Sequence, residues 1–430
     1  MKLAKLSLAA MVVAGLATSS FAADTLADAF KNGKVNGELR AWYFDRDTSH
    51  ANKPTYVAGD AGQGNADIFT TGVVLGYVTD SLYGLNMGVT FQSSYSPFAD
   101  KDAKNLFGKD MYGSGAVLSE AYLGYTIGKT TAKVGRQFIS TPLVSGSGSR
   151  MIKESFEGAT IVNTDLPQTT LVAGYVSKFQ GRTTGAFAGT GADSDIPEFT
   201  KKAVIYGAGN YTFDGAYTIA AINKSITNLT ITGQYALFQD VDGVAVGDAD
   251  IYVGALGYVL PVSNFKLGLD AAYQASKTDT DVNFDGDMTG FKVSLIELNG
   301  FGATASYTTT SKDDVVILGM GNGAGGAVAF TAPLIAGAGK VNTKDTDAYQ
   351  IGLTYDFSKV GVAGLKALAQ YTSVEAGTKD LTYMSGQITY AIPAIKGLTV
   401  SAEYEDSKTE APATADVDTG EFRFRANYKF

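Results

Sequence analysis

The chain has 430 residues and contains no cysteine, one histidine, one tryptophan and 9 prolines. Without cysteine it can form no disulfide framework, no thiolate nucleophile and no cysteine-ligated zinc site. Histidine-dependent hydrolysis needs a positioned base. The sole histidine, His50, lies in "RDTSHANKP", which we expect to be a polar loop after the first strand. We therefore expect no catalytic residue.

Basic residues are also scarce. The net charge is −9, with 34 Lys and Arg against 43 Asp and Glu. Two of the lysines, Lys2 and Lys5, belong to a leader described below, and their removal brings the charge to −11. An acidic chain of this kind lacks the positive field that attracts nucleic acid. We expect no nucleic-acid partner.

The abundant residues are those that form strands and turns. The chain contains 51 Gly, 24 Tyr and 23 Phe, and aromatic residues are enriched in strands. Its length would ordinarily suggest two or three domains. Because no Pro/Ser-rich linker, charge block or change of pattern divides it, we expect a single domain over residues 23–430.

The first 22 residues, "MKLAKLSLAAMVVAGLATSSFA", have the features of a secretory signal peptide. Lys2 and Lys5 precede an apolar run that starts at Leu6, and Ser20-Phe21-Ala22 forms a small-x-small cleavage site. The apolar run is shorter than the roughly 20 residues that a spanning helix needs. We expect residues 1–22 to be removed and the mature chain to work outside the cytoplasm.

Apolar and polar residues alternate through the mature chain, most simply in its last eleven residues, "GEFRFRANYKF". There, Phe422, Phe424, Ala426, Tyr428 and Phe430 alternate with Glu421, Arg423, Arg425, Asn427 and Lys429. A period of two over roughly 9 to 12 residues predicts strands with one apolar and one polar face.

About eighteen such runs can be counted, and the connections between them alternate between short and long. The short connections include Asp80 to Gly84, Gly128 to Lys129 and Asn299 to Gly300. The long ones include Pro97 to Ala116, Ile139 to Ser155 and Ser311 to Asp345. One segment, Asp214 to Asn228, breaks this order. The layout predicts an all-β, transmembrane antiparallel β-barrel of about 18 strands, with short periplasmic turns and long extracellular loops.

A barrel of this size is too wide for side chains alone to fill, so we expect a water-filled channel. The segment from Asp24 to Lys34 is expected to form a short helix with Leu26 and Phe30 on one face, too small to be a plug. The soluble alternative is a secreted β-sandwich or repeat protein. It would need a buried core for every one of these strands.

Three stretches carry a family resemblance: "NGELRAWYFDRD" (Asn36 to Asp47), "KVGRQFISTPLVSGSGSRMIKESFEGATI" (Lys133 to Ile161) and the terminal Phe430. They resemble the OprD-type outer-membrane porins, in particular epsilonproteobacterial ones. The resemblance implies an eighteen-stranded barrel that admits small solutes such as amino acids or other carboxylates. It also implies an inward-folded constriction loop at Ile139 to Ser155. The residues expected to narrow the pore there are Ser149, Arg150 and Lys153. Where the resemblance leads us to expect an acidic residue, this chain has Gly148, which argues against a preference for basic amino acids.

The resemblance further implies a ladder of inward basic residues. Closure of the barrel would place the last strand beside the first, so Arg40, Arg423, Arg425 and Lys429 are the candidates. The weaker or acidic wall across from them is assigned to Glu403 and Glu405 of the penultimate strand. Guanidinium groups suit the guidance of carboxylates, because they stay charged and bind through two hydrogen bonds. The alternative role is to solvate the lumen and pair with these glutamates.

Acidic residues cluster around two predicted outer loops. The members that we expect to form a negative vestibule are Asp240, Asp242, Asp281 and Asp285, with Asp248, Asp250, Asp279 and Asp287 beside them. The stretch "DVNFDGD" resembles the first half of a calcium loop. Lys292 occupies the place of its closing carboxylate, so we expect no metal site. A solvated acidic loop is the simpler reading.

The segment "GNGAGG", Gly321 to Gly326, formally matches a dinucleotide-binding fingerprint. An exported chain without a strand-helix-strand context is a poor candidate for that function. We expect instead a flexible part of the longest loop that can fold into or over the pore, and no cofactor.

These observations predict a porin of the bacterial outer membrane, with a structural or adhesive barrel and a barrel hydrolase as alternatives. Current across a planar bilayer would separate a porin from an adhesive barrel. The expected partners are outer-membrane lipids and lipopolysaccharide, small hydrophilic solutes, and the barrel-assembly machinery that recognises Phe430. A homotrimer is one candidate assembly.

Overall fold

The computed structural model describes residues 23–50, 65–187, 194–242, 247–279, 283–411 and 416–430. In these ranges eighteen antiparallel strands form a barrel, which is closed because the last strand pairs with the first. The predicted barrel architecture and strand number are confirmed. The predicted signal peptide, residues 1–22, lies outside the described residues.

The strands of the described ranges are, in chain order, β1 (Lys34–His50), β2 (Ala66–Val78), β3 (Leu85–Ser94), β4 (Gly115–Ile127), β5 (Thr130–Gln137), β6 (Ser155–Asn163), β7 (Thr169–Gln180), β8 (Phe199–Thr200), β9 (Lys202–Tyr206), β10 (Gly209–Thr212), β11 (Gly215–Asn223), β12 (Leu229–Val241), β13 (Gly247–Val262), β14 (Phe265–Thr278), β15 (Asp287–Leu298), β16 (Phe301–Thr310), β17 (Gly319–Met320), β18 (Thr346–Asp356), β19 (Leu365–Ala376), β20 (Lys379–Ala391), β21 (Leu398–Glu410) and β22 (Val417–Lys429). Four of them, β8, β9, β10 and β17, are short and belong to loops. The other eighteen form the wall.

Helices are few and short. They are α1 (Leu26–Lys31) and α2 (Lys101–Phe107), with 3-10 turns at Thr184–Ala186, Ala338–Lys340 and Phe357–Val360. None of the helices in the described ranges is long and apolar enough to cross a membrane. Helix α1 is the expected N-terminal one, capped by the Thr25 side chain, and the Phe30 ring stacks on Tyr77 of β2.

The two faces of each wall strand differ as the alternation predicts. On β22, Phe422 and Phe424 are exposed on the outside of the barrel, whereas Arg423 and Arg425 are buried inside it. On β1, Leu39 is exposed and Trp42 is buried. The apolar face therefore meets lipid and the charged face meets the lumen, which is the arrangement that a bilayer imposes on a barrel.

Connections at one end of the barrel have at most eight residues. They are residues 79–84, 128–129, 164–168, 224–228, 263–264, 299–300, 357–364 and 392–397. The two-residue turn Asn299-Gly300 has φ values of 49° and 87°, as a type I′ hairpin turn requires. The apparent exception at Asp214 to Asn228 disappears, because Gly215–Asn223 is strand β11 and residues 224–228 are the short turn.

Long loops leave the opposite end, which is the extracellular end of such barrels, and several fold into the lumen. Loop 138–154, loop 181–214 and loop 311–345 share one apolar cluster that includes Leu143, Ile205 and Met320. The Met320 N–H donates to the Leu143 carbonyl at 2.8 Å, and the Met320 carbonyl accepts the Ser145 N–H at 3.0 Å. The predicted single constriction loop is thus one of three loops that pack together inside the barrel.

Two further packing contacts fix the interior. In loop 95–114, Phe107 and Met111 pack on Phe44 and Ile68 of the wall. In loop 311–345, a separate cluster packs against β15, β18, β19 and β20, and its loop members are Val316, Leu318, Val328, Ala329 and Val341. Apolar side chains inside the lumen therefore hold the loops in place, whereas those outside face lipid.

Candidate functional site

The predicted basic residues meet at the seam where the barrel closes. In the register between β1 and β22, Trp42 lies opposite Arg425 and Phe44 opposite Arg423. The Arg425 guanidinium lies 5.0 Å from the centre of the Trp42 ring and 5.1 Å from that of Phe44, and Arg423 lies 4.9 Å from Phe44. Arg40 lies 5.5 Å from the Trp42 ring. Cation–π contacts thus hold the guanidinium groups in a row along the lumen wall.

Each arginine of this row also contacts one carboxylate. The partners are Glu403 for Arg425 at 2.6 Å, Glu421 for Arg423 at 2.7 Å and Glu38 for Arg40 at 3.2 Å. Glu403 lies on β21, directly beside β22. The expectation that Glu403 stands on an opposite wall is therefore wrong: it pairs with the arginines on their own wall.

Glu405 has a different environment from the one expected. Its carboxylate is buried and accepts the backbone N–H groups of Ile335 at 3.0 Å and Ala336 at 2.8 Å, together with the Ser385 hydroxyl at 2.8 Å. It lies on the same strand as Glu403, so it too is not across from the arginines. Its oxygens hold loop 311–345 against β21.

Loop 138–154 reaches the arginine row through its backbone. Arg40 Nη1 donates to the Met151 carbonyl at 2.7 Å, and Arg425 Nη2 donates to the Ser149 carbonyl at 3.5 Å. Gly148 and Ser149 then face a cavity of about 400 Å³. The predicted constriction loop therefore lies next to the predicted basic ladder.

This cavity brings together most of the residues predicted for the pore. Its lining comprises Glu38, Arg40, Trp42, Gly148, Ser149, Leu334, Glu403, Arg423, Arg425, Asn427 and Lys429. Four of these side chains are basic and two are acidic. Sequence reasoning did not single out Leu334 or Asn427. Asn427 occupies one of the alternate positions of β22 that point inward, so the alternation could have predicted it. Leu334 lies in a loop with no periodic pattern.

Two other residues of the loop, Arg150 and Lys153, lie outside this lining. Arg150 Nε donates to Asp110 Oδ2 at 2.7 Å, so it joins loop 138–154 to loop 95–114. Burial by itself would raise the pKa of Asp110, but the charges of Arg150 and Arg46 outweigh it and hold that pKa below the ordinary value. Lys153 lies 4.1 Å from the Phe138 ring centre, and burial lowers its pKa.

Glu154, which the sequence did not point to, joins three loops. Its carboxylate is fully buried, accepts the backbone N–H groups of Ser147 and Asn322 at 2.9 Å each, and lies 3.4 Å from Arg182 Nε. The Asn322 amide nitrogen donates to it as well. Asn322 belongs to "GNGAGG". That segment was predicted to be flexible, but the structure packs it against loop 138–154.

The predicted acidic vestibule is only partly described, since Asp281 lies outside the described residues. Asp248 Oδ1 accepts the Asp240 N–H at 2.9 Å, and Asp242 pairs with Thr212 of β10. Asp285 Oδ1 accepts both the N–H and the hydroxyl of Thr278, at 2.7 and 3.0 Å. In the described part of the chain, no three acidic or histidine side chains are grouped to hold a metal ion.

Two residues at the ends of the paired strands β1 and β22, His50 and Phe430, can also be compared with the predictions. His50 is the last residue of β1, opposite Val417, rather than part of a following loop. Phe430 is exposed on the outer face, and it forms a backbone pair with Gly37 at 3.0 and 3.1 Å. A Cβ atom on Gly37 would lie 2.2 Å from the Phe430 ring. Glycine at this position therefore makes room for the terminal aromatic ring.

Comparison with known proteins gives one family model that matches part of the chain and several solved structures of similar fold. The model of the outer membrane porin, OprD family, matches residues 27–229. No curated protein sequence matches the chain.

Solved structures are similar over nearly the whole chain. OpdQ of Pseudomonas aeruginosa is 19% identical, with a TM-score of 0.70, covering 94% of this chain and 99% of its own. OccAB3 of Acinetobacter baumannii is 15% identical with a TM-score of 0.75, covering 93% and 100%. A BenF-like porin from Pseudomonas fluorescens Pf-5 is 16% identical with a TM-score of 0.73, covering 94% and 99%. At these identities the similarity concerns the fold.

Proposed function

We propose that the chain, whose residues 27–229 match the model of the OprD family of outer membrane porins and whose fold is that of solved porins, is an outer-membrane porin through which small carboxylate-bearing solutes diffuse past the arginines of β22 and β1. The barrel fold is shown by the closed ring of eighteen strands, and the outer-membrane location is proposed from the matched family model. The carboxylate preference is the specific part of the proposal, and it depends on the chemistry of the cavity lining.

The observation that carries the proposal is the sign of the charge in that lining. The protein as a whole carries a net charge of −9, yet the cavity lining has four basic side chains against two carboxylates. A positive wall in an acidic protein favours anions locally and raises their concentration there. The narrow region is thus electrostatically distinct from the rest of the molecule.

The arginines are also preorganised to donate hydrogen bonds. Stacking on Trp42 and Phe44 and pairing with Glu403 fix the orientation of Arg425. A guanidinium has five N–H donors in a planar fork and binds carboxylates through two of them. A passing carboxylate can therefore exchange with the fixed glutamate partners along the row.

Replacement of Arg40, Arg423 and Arg425 by Gln tests the proposal. We expect uptake of a carboxylate-bearing solute into proteoliposomes to fall by about tenfold, which corresponds to about 1.4 kcal/mol, while uptake of a neutral sugar of similar size changes little. The matched control is Arg136→Gln. Arg136 lies two residues from the exposed Val134 on β5, so both side chains are on the outer face of the barrel. Equal loss for both solutes, or no loss, would leave the arginines only a role in solvating the lumen.

Fold and family point to a channel rather than an enzyme, and we propose that the protein has no catalytic activity. The wild-type protein should then conduct ions across a planar bilayer. A barrel that serves only in adhesion or structure would give no current. Loss of a hydrolase activity on replacing His50 would contradict the proposal.

Several finer assignments remain proposals of the same kind. Phe430, exposed at the end of the last strand, is proposed as the signal read by the barrel-assembly machinery. Residues 1–22 are proposed as the cleaved signal peptide and residues 23–430 as one barrel domain. We also propose lipopolysaccharide contacts on the outer face and a homotrimeric assembly, which mass measurement in detergent would test.

A further inference from the structure

The hydrogen-bond ladder between β2 and β3 is interrupted at one place in the wall. The regular ladder ends at Val74 and resumes as a single pair at Thr71 and Tyr95, which exchange two backbone bonds of 2.9 Å each. Between these stretches, the Ser93 hydroxyl accepts the Val73 N–H at 3.0 Å and donates to the Val73 carbonyl at 3.4 Å. At this place the two strands are therefore joined by a side chain.

A crevice of about 600 Å³ lies beside this interruption. Alternation along the strands assigns six of its lining residues to the outer face, where the wall meets lipid: Leu39, Thr71, Val73, Ser93, Tyr95 and Ala116. Leu39, Val73 and Tyr95 are large and exposed, whereas the other three have small side chains. Small side chains between large ones leave a depression in the lipid-facing surface.

The inner side of the wall is closed behind this crevice. Gly72 also lines it, and a Cβ atom at this position would lie 2.4 Å from the Ser93 carbonyl oxygen and 2.6 Å from the Met151 sulfur. Met151 belongs to loop 138–154 and is buried. Arg40, another lining residue, donates from its guanidinium to the Met151 carbonyl inside the barrel. The crevice therefore opens toward lipid and is separate from the passage for solutes.

The crevice lies in the extracellular half of the wall. Ser93 and Ala116 are near the ends of β3 and β4 from which loop 95–114 leaves. Tyr95 and Phe98, at the start of that loop, are 58% and 81% exposed, and the Phe98 ring centre lies 6.3 Å from that of Phe69. Exposed aromatic rings at strand ends are typical of the level where hydrocarbon meets head groups. The crevice thus faces the hydrocarbon of the outer leaflet, directly below its head groups.

The chemistry of the crevice suits a hydrocarbon chain. The Thr71 hydroxyl donates to the Tyr95 carbonyl at 3.4 Å, and the Ser93 hydroxyl is bonded to Val73 in both directions. These polar groups are satisfied within the wall, as membrane depth requires. A second barrel presents a convex wall, which cannot follow a concave crevice, whereas a flexible acyl chain can. An acyl chain is therefore the occupant that fits both the shape and the polarity.

We propose that this crevice binds one acyl chain of a lipopolysaccharide molecule, the lipid of the outer leaflet. The inference rests on the proposed outer-membrane porin and gives its expected contact with lipopolysaccharide a defined place on the wall. The bound chain covers the Ser93 bonds that replace the backbone ladder. The sugar head group then lies beside the exposed rings of Tyr95 and Phe98.

Two variants fill the crevice from different strands, Ala116→Trp from β4 and Val73→Trp from β2. The matched control is Ala221→Trp, because Ala221 is an exposed small residue on the outer face of β11, a strand that does not line the crevice. Each protein, purified in detergent, is titrated with lipid A, the acylated part of lipopolysaccharide, and bound lipid is counted by native mass spectrometry. We expect the wild type and the control to bind one lipid A molecule with equal affinity. Both filling variants should bind it about tenfold more weakly, because the packing contacts of the chain are lost.

Three results would overturn the proposal. Equal lipid A affinity of the wild type and both filling variants would refute the assignment of the crevice. Equal or tighter binding of phosphatidylethanolamine at the same place would refute lipopolysaccharide as the occupant. A shift from oligomer to monomer in the filling variants, with lipid A binding unchanged, would mean that a second copy of the chain occupies the crevice.

The outcomes also separate this inference from the proposed function, because lipid binding is measured without current. A wild-type protein that gives no current refutes the porin proposal itself. A wild-type protein that conducts, together with filling variants that bind lipid A as the wild type does, refutes only the inference. Heat-dependent gel mobility of each variant shows that the barrel has formed before the titrations are compared.

Discussion

The wall of the barrel and the loops inside it are stabilised by different kinds of contact. Strands of the wall pair with neighbours that are mostly adjacent in sequence, as where β4 and β5 are joined by two residues. The loops inside contact residues far away along the chain, as where Glu154 meets Asn322, 168 residues later. The wall can form from local hairpins and one closure, whereas the interior requires the finished wall around it.

The comparison between wall and interior indicates which residues determine the stability of the barrel and which determine transport through it. In the wall, apolar side chains face lipid and exchange one apolar surrounding for another, so the closed hydrogen-bond ladder determines the structure. In the interior, buried carboxylates and apolar clusters determine the position of loops that shape the passage. Substitutions inside the barrel should alter transport and leave the barrel folded. Substitutions on the lipid face should destabilise the barrel itself.

The largest expected effect comes from Glu154→Ala. Removal of one partner of a buried ion pair costs about 3–5 kcal/mol, and here it leaves the largely buried Arg182 without its carboxylate. We expect loops 138–154 and 311–345 to become sensitive to protease and the conductance to rise, while the barrel keeps its heat-resistant mobility. Glu157→Gln is the control, since Glu157 is half-exposed and such pairs contribute about 0–1 kcal/mol.

A charge on the lipid face should have the next largest effect. Leu39→Arg places a guanidinium on the exposed outer face of β1, where the cost is about 2–4 kcal/mol near the bilayer midplane. We expect a lower free energy of unfolding in lipid vesicles. Asn36→Arg, on the lumen face of the same strand, should be close to neutral. An equal cost at both positions would contradict the assignment of the faces.

The smallest expected effect concerns pH. The pKa of Asp110 is held below its ordinary value in the folded protein, so its pairing with Arg150 contributes stability above the ordinary pKa and loses it as pH falls through the lowered one. The conductance of the wild-type protein should therefore stay constant from pH 7 to below about 3.9, the ordinary value for aspartate. The Asp110→Asn variant lacks the carboxylate at every pH. At pH 7 it should therefore show the conductance that the wild-type protein reaches only at a pH low enough to protonate Asp110.

The sequence alone was sufficient to predict the faces of the wall. Because side chains of a strand alternate between its two sides, the stretch "GEFRFRANYKF" predicted both the outward Phe422 and Phe424 and the inward Arg423 and Arg425. Closure of an even number of strands then placed Arg40 nearby. The same reasoning could not assign Glu405, because alternation gives the side on which a residue lies and not the group that it meets.

The sequence by itself determined the alternation, the approximate number of strands and the length of each connection, all of which are local properties of the chain. The tertiary structure decided which carboxylates pair with arginines, which loops fold inward and that Leu334 reaches the cavity. The loop contacts join distant parts of the chain, as with Ile335 and Glu405, which are 70 positions apart, and Arg425 pairs with Glu403 of a different strand. No periodicity encodes them, because they depend on the packing of apolar loop residues within a wall of fixed diameter.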